Sequence, residues 1–178
     1  ASASQKGWMV PPGLAFLSFS PDAWRAHVGA RMPRFYFDMA EYKRYLEVGQ
    51  PPWTPAVSVI FALDRALGMM FDEGLPNVYA RHARAAERVR AGVAALGLSL
   101  LPDPNCASDT ITAVRMPDGI EGAQMLRMMR EEHDVVLAGG QQSLSGKIFR
   151  IGHLGLVSDE EIDGVFTALK TTLGKLKG

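Results

Sequence analysis

Apolar positions along this chain follow two periods, and the switches between them mark its elements. Gly13 to Ser20 (GLAFLSFS) is a short apolar run between glycine and proline, which predicts a buried strand. Pro21 to Gly29 (PDAWRAHVG) predicts a short helix, and Met39 to Glu47 another helical turn or two. GQPPWTP holds three prolines in seven residues and is a loop, because proline lacks the N–H that regular structure needs. A helix follows. Thr54 is a good N-cap, Pro55 suits the first helical position, and Val57, Ile60, Phe61, Leu67, Met70 and Phe71 recur at helical spacing as its inner face. A second helix is predicted from Pro76 to Leu96. Its inner side is Val78, Ala86, Val89, Val93 and Leu96, its outer side is a solvated row of Arg81, Arg84, Arg88 and Arg90, and Gly97 stops it.

Beyond Gly97 the pattern alternates. Leu98–Leu101 and Thr110–Met116 predict strands, Pro117-Asp118-Gly119 a turn, and Glu121–His133 a helix packed through Met125, Met128 and Met129. Val135–Ala138 and Ile148–Ile151 predict short strands around a glycine loop. Ser158 to Glu161 is a capping box for a last helix with Ile162, Val165, Phe166, Leu169, Leu173 and Leu176 on one stripe. This part reads as helices against a small sheet.

Composition narrows the classes. The 178 residues are 47% hydrophobic and 21% charged, an ordinary globular balance. Nineteen Lys+Arg against nineteen Asp+Glu favour neither nucleic acid nor an anionic membrane as partner. The early run WMVPPGLAFLSF is broken by Pro11-Pro12-Gly13 and is too short to span a bilayer, so a soluble, cytoplasmic protein is expected. Cys106 has no internal partner and reads as a bystander thiol in a reducing compartment. The four histidines lack metal-ligand spacing, and no metal site is expected. AGGQQSLSGK is not a phosphate loop: five residues separate Gly140 from Gly146, and Ile148 follows Lys147 where Ser or Thr is required.

One lysine stands out. Lys6 is followed at once by Trp8, Met9 and Val10 and then by two prolines. An apolar, desolvated setting lowers a lysine's pKa and supplies the neutral amine that Schiff-base chemistry needs. A solvated lysine near a chain end is the alternative on these residues alone.

The run SASQKGWMVPPGLAFLSFS resembles the lysine segment of class V aminotransferases, pyridoxal-phosphate enzymes of fold type I that include alanine–glyoxylate and serine–pyruvate aminotransferases. Their pattern is Ser-x-Ser-Gln-Lys, then Pro-Pro-Gly and an apolar strand; here Ala3 replaces the usual glycine between the serines. The resemblance implies that Lys6 binds pyridoxal 5'-phosphate covalently and that Gln5 lies beside it. GQPPWTPAVSVIFALDRAL resembles the family segment in which a threonine reaches the cofactor phosphate of the neighbouring subunit. This makes Thr54 the phosphate ligand, compatible with N-capping, and implies a homodimer with shared sites. KIFRIGHLG resembles the family's Arg-Ile-Gly, so Arg150 would bind the substrate α-carboxylate through two parallel bonds, with His153 flanking the site. A strand arginine in a structural ion pair is the plain alternative for Arg150.

The implied fold class is α/β: residues 1–74 as the end of the large cofactor-binding domain with its connecting helix, and 75–178 as a C-terminal α+β small domain. Family members are about twice this length, so a C-terminal fragment, inactive alone, is expected. The implied activity is amino transfer between a small amino acid (alanine, serine or aspartate) and an oxo acid such as glyoxylate or pyruvate. The alternatives are a non-catalytic fragment or regulatory subunit of the same fold, or a lyase or desulfurase using Cys106.

Overall fold

The computed structural model describes all residues, Ala1–Gly178, and their contacts divide them into two compact units, Ala1–Gly68 and Met69–Gly178.

The first unit opens with two very short antiparallel strands. β1 (Ser2–Ala3) pairs with β2 (Ala15–Phe16), Ser2 opposite Phe16 and Ala3 opposite Ala15. The strand expected over Gly13–Ser20 is thus cut to two paired residues, because a strand extends only as far as a neighbour offers hydrogen bonds. Helix α1 (Pro21–Gly29) has the expected bounds. Ser20 caps it by accepting the Ala23 N–H, and proline fills the first position. Helix α2 (Met39–Leu46) is capped by the Asp38 carboxylate, which takes the Ala40 N–H.

Helix α3 (Val57–Glu73) starts later than Thr54-Pro55 predicted. The Val57 N–H turns back onto the Pro55 carbonyl, and the first helical bond runs from Ile60 N–H to the Ala56 carbonyl. Thr54 therefore does not cap this helix. Of the expected inner face only Met70 is fully buried; Val57, Ile60, Phe61 and Phe71 are exposed. The helix forms, but the stripe that periodicity predicted as its inner face is largely exposed. The first unit also leaves Val28, Met32, Phe35 and Phe37 open, and only Val10, Ala66 and Ser4 are buried there.

The second unit carries its own core. Gly74, at φ +85°, separates α3 from α4 (Leu75–Ala95), and Gly97 at φ +68° ends α4 in a left-handed cap that returns the Leu98 N–H to the Val93 carbonyl. Three strands form an antiparallel sheet in the order β3 (Ile111–Arg115), β5 (Ile148–Gly152), β4 (Ala138–Gly139). The strand expected over Leu98–Leu101 shrinks to a single bridge between Leu100 and Val114. Helices α5 (Gly122–His133) and α6 (Asp159–Lys177) complete the unit. Glu121 caps α5, and the Ser158–Glu161 box forms as predicted. Val89, Val93, Val114, Met125, Met129, Phe149 and Leu169 are sealed in one cluster, so Met125 and Met129 are core as expected, while Met128 is half-buried outside it. Gly92 is required where the Phe166 ring lies against α4, since a Cβ there would overlap the ring.

Three of the four arginines in the α4 row, Arg81, Arg88 and Arg90, are paired rather than merely solvated. Arg88 binds Asp163 and Arg90 binds Asp109. Arg81 grips both oxygens of Glu73, holding that carboxyl below its usual range, and also donates to the Gly155 carbonyl. The Gly155 N–H donates to His82 Nε2, whose Nδ1 must then carry the proton given to the Val78 carbonyl.

Candidate functional site

Strand alternation decides where Arg150 points. Thr112, Val114, Phe149 and Ile151 are buried on one side of the sheet, three of them against the helices, and the residues between them take the other side. Arg150 is on that other side, opposite Ala113 on β3 and Ala138 on β4. Two alanines leave space over the guanidinium. Its Nε–H donates to the Gly139 carbonyl at 3.0 Å, which fixes the side chain and leaves both terminal nitrogens uncommitted. No carboxylate lies within ion-pair distance, so the structural ion pair that competed for this residue is absent. A half-buried, unpaired guanidinium with two free donors is suited to a carboxylate from outside the chain.

The loop before β5 is a tight turn. The Gly140 N–H returns to the Ile148 carbonyl, and a Cβ on Gly140 would collide with the Leu144 carbonyl. Gln142 has φ +49°.

His153 does not share the Arg150 side. It is buried, with its N–H on the Thr110 carbonyl and Nε2 at 2.9 Å from the Thr112 hydroxyl, while Nδ1 is buried without a partner. Burial pushes its pKa below the ordinary histidine range, and the Arg90 charge adds to this. The folded protein therefore resists protonation of His153, whereas the unfolded chain takes the proton below about pH 6.5. Stability is full above that value and falls as pH drops from it toward the lower folded pKa, by at most about 1.4 kcal/mol per pH unit for one proton. Urea midpoints measured between pH 7 and 5 are expected to fall, with a shallower fall in His153→Phe.

Lys6 stands in the first unit, in the loop between β1 and β2. It is exposed and has no ion pair or side-chain hydrogen bond. The neighbours expected to dry it do other work. Val10 is buried in the loop, and Trp8 folds back so that its Nε1–H donates to the Ser2 hydroxyl while its ring lies 5.3 Å from that of Phe16. Gln5 adjoins Lys6 and is exposed. Thr54 is also exposed, and its hydroxyl has no partner. The recess between α1 and α2, lined by Trp24, His27, Lys43 and Arg44, includes none of these residues. Cys106 is exposed in a short turn with its thiol on the Asp103 carbonyl. Sequence reasoning missed Ser4, which is fully buried; only its place in the lysine motif pointed to it. No group of three or more His, Cys, Asp or Glu side chains gathers to hold a metal. No helix is long and apolar enough to cross a membrane.

Searching family models gives no match. The chain is 40% identical over 169 residues to the L-aspartate–glyoxylate aminotransferase of Paracoccus denitrificans, covering 94% of this chain and 43% of that protein. A solved alanine–glyoxylate aminotransferase from Nostoc sp. superposes with a TM-score of 0.90 at 30% identity, over 96% of this chain and 46% of that one. The chain has class V aminotransferases among its relatives and its solved structural neighbours. It matches the C-terminal portion of their fold-type I architecture, which bears out the expected α/β fold class. It spans about half the length of the curated relatives it matches. A relative named the small subunit of a soluble hydrogenase, from Synechococcus sp. (strain PCC 6716), is 46% identical over 175 residues, 98% of this chain and 45% of that protein.

Proposed function

We infer that this protein is a pyridoxal-phosphate-dependent aminotransferase. It would move an amino group between a small amino acid (alanine, serine or aspartate) and an oxo acid such as glyoxylate or pyruvate. The observation that carries this reading is the pair of unpaired cationic side chains at motif positions, Lys6 on its loop and Arg150 on its strand, in a chain with class V aminotransferases among its relatives. The donor set fits the cofactor: an accessible amine at Lys6, an amide side chain at Gln5 beside it, and an unengaged hydroxyl at Thr54 ahead of the N-terminal end of α3.

Pyridoxal phosphate, when bound, supplies an electron sink for bonds at the amino acid's Cα. The chain's own residues do the rest. Lys6 Nζ, as a neutral amine, takes the Cα proton and returns it, which requires that the assembled site exclude water from around it. Arg150 grips the α-carboxylate with its two terminal nitrogens and so orients the Cα–H bond. Thr54 would serve the phosphate of the other subunit, making the working form a homodimer. The exposed apolar face of the first unit supports the expectation that further polypeptide packs there.

The test is to supply full-length protein and pyridoxal phosphate with alanine, serine or aspartate plus glyoxylate. Glycine and the matching oxo acid are expected. Hydrogen-dependent dye reduction without amino transfer would instead favour the activity named for the hydrogenase relative. Sulfide release from cysteine without amino transfer would favour a desulfurase.

A further inference from the structure

Serine is small, polar and most often exposed, so sequence offers no reason to bury one two residues before an exposed lysine. Ser4 is nonetheless 0% exposed, and at this residue the lysine segment closes on itself. Its backbone N–H donates to the Leu14 carbonyl at 3.1 Å, and its carbonyl accepts the Val10 N–H at 3.4 Å. Its hydroxyl donates to the Pro11 carbonyl at 2.7 Å and accepts the Leu14 N–H at 3.2 Å. These bonds tie residue 4 to residues 10, 11 and 14 and turn the intervening chain into a closed loop.

The rest of the loop is held against its own preferences. The Lys6 carbonyl accepts the Met9 N–H at 2.9 Å in a tight turn, and Met9 sits at φ +60°, a left-handed conformation a methionine adopts only under constraint. Pro11 and Pro12 fix their own φ. Gly13, at φ +151°, lets the exit of the loop approach α3, where a Cβ would come within 3.1 Å of Val59. Remove the Ser4 hydroxyl and two backbone groups lose their side-chain partner at the neck of a strained loop.

We propose that Ser4 is a positioning residue for the Lys6 amine: its buried hydroxyl keeps closed the loop that carries the lysine. This rests on the reading of Lys6 as the cofactor-binding lysine. A lysine stem is flexible, so the amine's reach is set by how firmly its backbone is anchored, and a loosened anchor lowers the fraction of time the amine meets an aldehyde in the right geometry.

Ser4→Ala, Ser4→Thr and Ser4→Cys in the full-length protein test this through two readouts that need no turnover. In cofactor-free protein, amide exchange at Leu14 is expected to speed up at least about 10-fold in Ser4→Ala, the scale of one lost hydrogen bond. The rate at which added pyridoxal phosphate is trapped on Lys6 by borohydride, read by peptide mass, is expected to fall about 10-fold. Ser4→Thr keeps the hydroxyl and should stay within about 3-fold of the parent on both counts. Ser4→Cys keeps the size with a weaker donor. It should fall between, and it carries the test if Ser4→Ala does not fold. Trapping at the parent rate in the Ala or Cys variant overturns the proposal, as does equal loss in Ala and Thr. No trapping on Lys6 in the parent overturns the aminotransferase reading itself.

Discussion

Full-length protein carrying Lys6→Ala should bind pyridoxal phosphate without trapping it under borohydride, and its amino transfer should fall by about 10²- to 10⁴-fold or more, the range for a lost proton-transfer group. Lys6 is exposed, unpaired and held on a loop closed through Ser4, so removing its side chain beyond Cβ leaves no core cavity. Stability should therefore change little, and the loss is chemical. Lys6→Arg sharpens the test. Arginine keeps the positive charge and most of the length but cannot act as a neutral amine at any accessible pH. If Arg restored trapping or transfer, charge rather than a free amine would be the active feature. Undiminished transfer in Lys6→Ala would dismiss the lysine altogether.

Arg150→Leu should raise the KM for the amino acid by about 10²-fold or more, the scale of an unpaired partner in a desolvated charge pair. Trapping of the cofactor on Lys6 should stay intact. Discrimination between alanine and ethylamine, which lacks the carboxylate, should largely collapse, because that preference comes from the guanidinium. Arg150→Lys should recover only part of the effect, since an ammonium offers a point charge where the fork offers two parallel bonds. Loss of the Nε–H bond to Gly139 adds about 0.5–1.5 kcal/mol of destabilisation, which a melting curve separates from the kinetic effect. If KM is unmoved while the melting point drops, Arg150 is a structural strand residue only.

The sequence by itself determined whatever depends on neighbours a few positions away. The α1 bounds, the Ser158–Glu161 box, the Gly97 stop and the helical stripe of α6 are local, because capping and periodicity act over a single turn. It also determined the candidate chemistry, Lys6, Gln5, Thr54 and Arg150, through ordered motifs rather than through any one residue's pattern. Tertiary structure decided what depends on distant partners. It cut back the expected strands at Gly13–Ser20 and Leu98–Leu101 and moved the one expected over Val135–Ala138 to Ala138–Gly139, since pairing needs a neighbour that periodicity cannot supply. It left the apolar stripe of α3 uncovered, paired Arg81, Arg88 and Arg90 of α4 with Glu73, Asp163 and Asp109, and removed the rival ion pair from Arg150. It also buried His153 away from Arg150 and sank Ser4 at the neck of the lysine loop. Those outcomes turn on which groups meet across many residues, and burial and hydrogen-bond satisfaction are properties of the assembled environment, not of the residue that enters it.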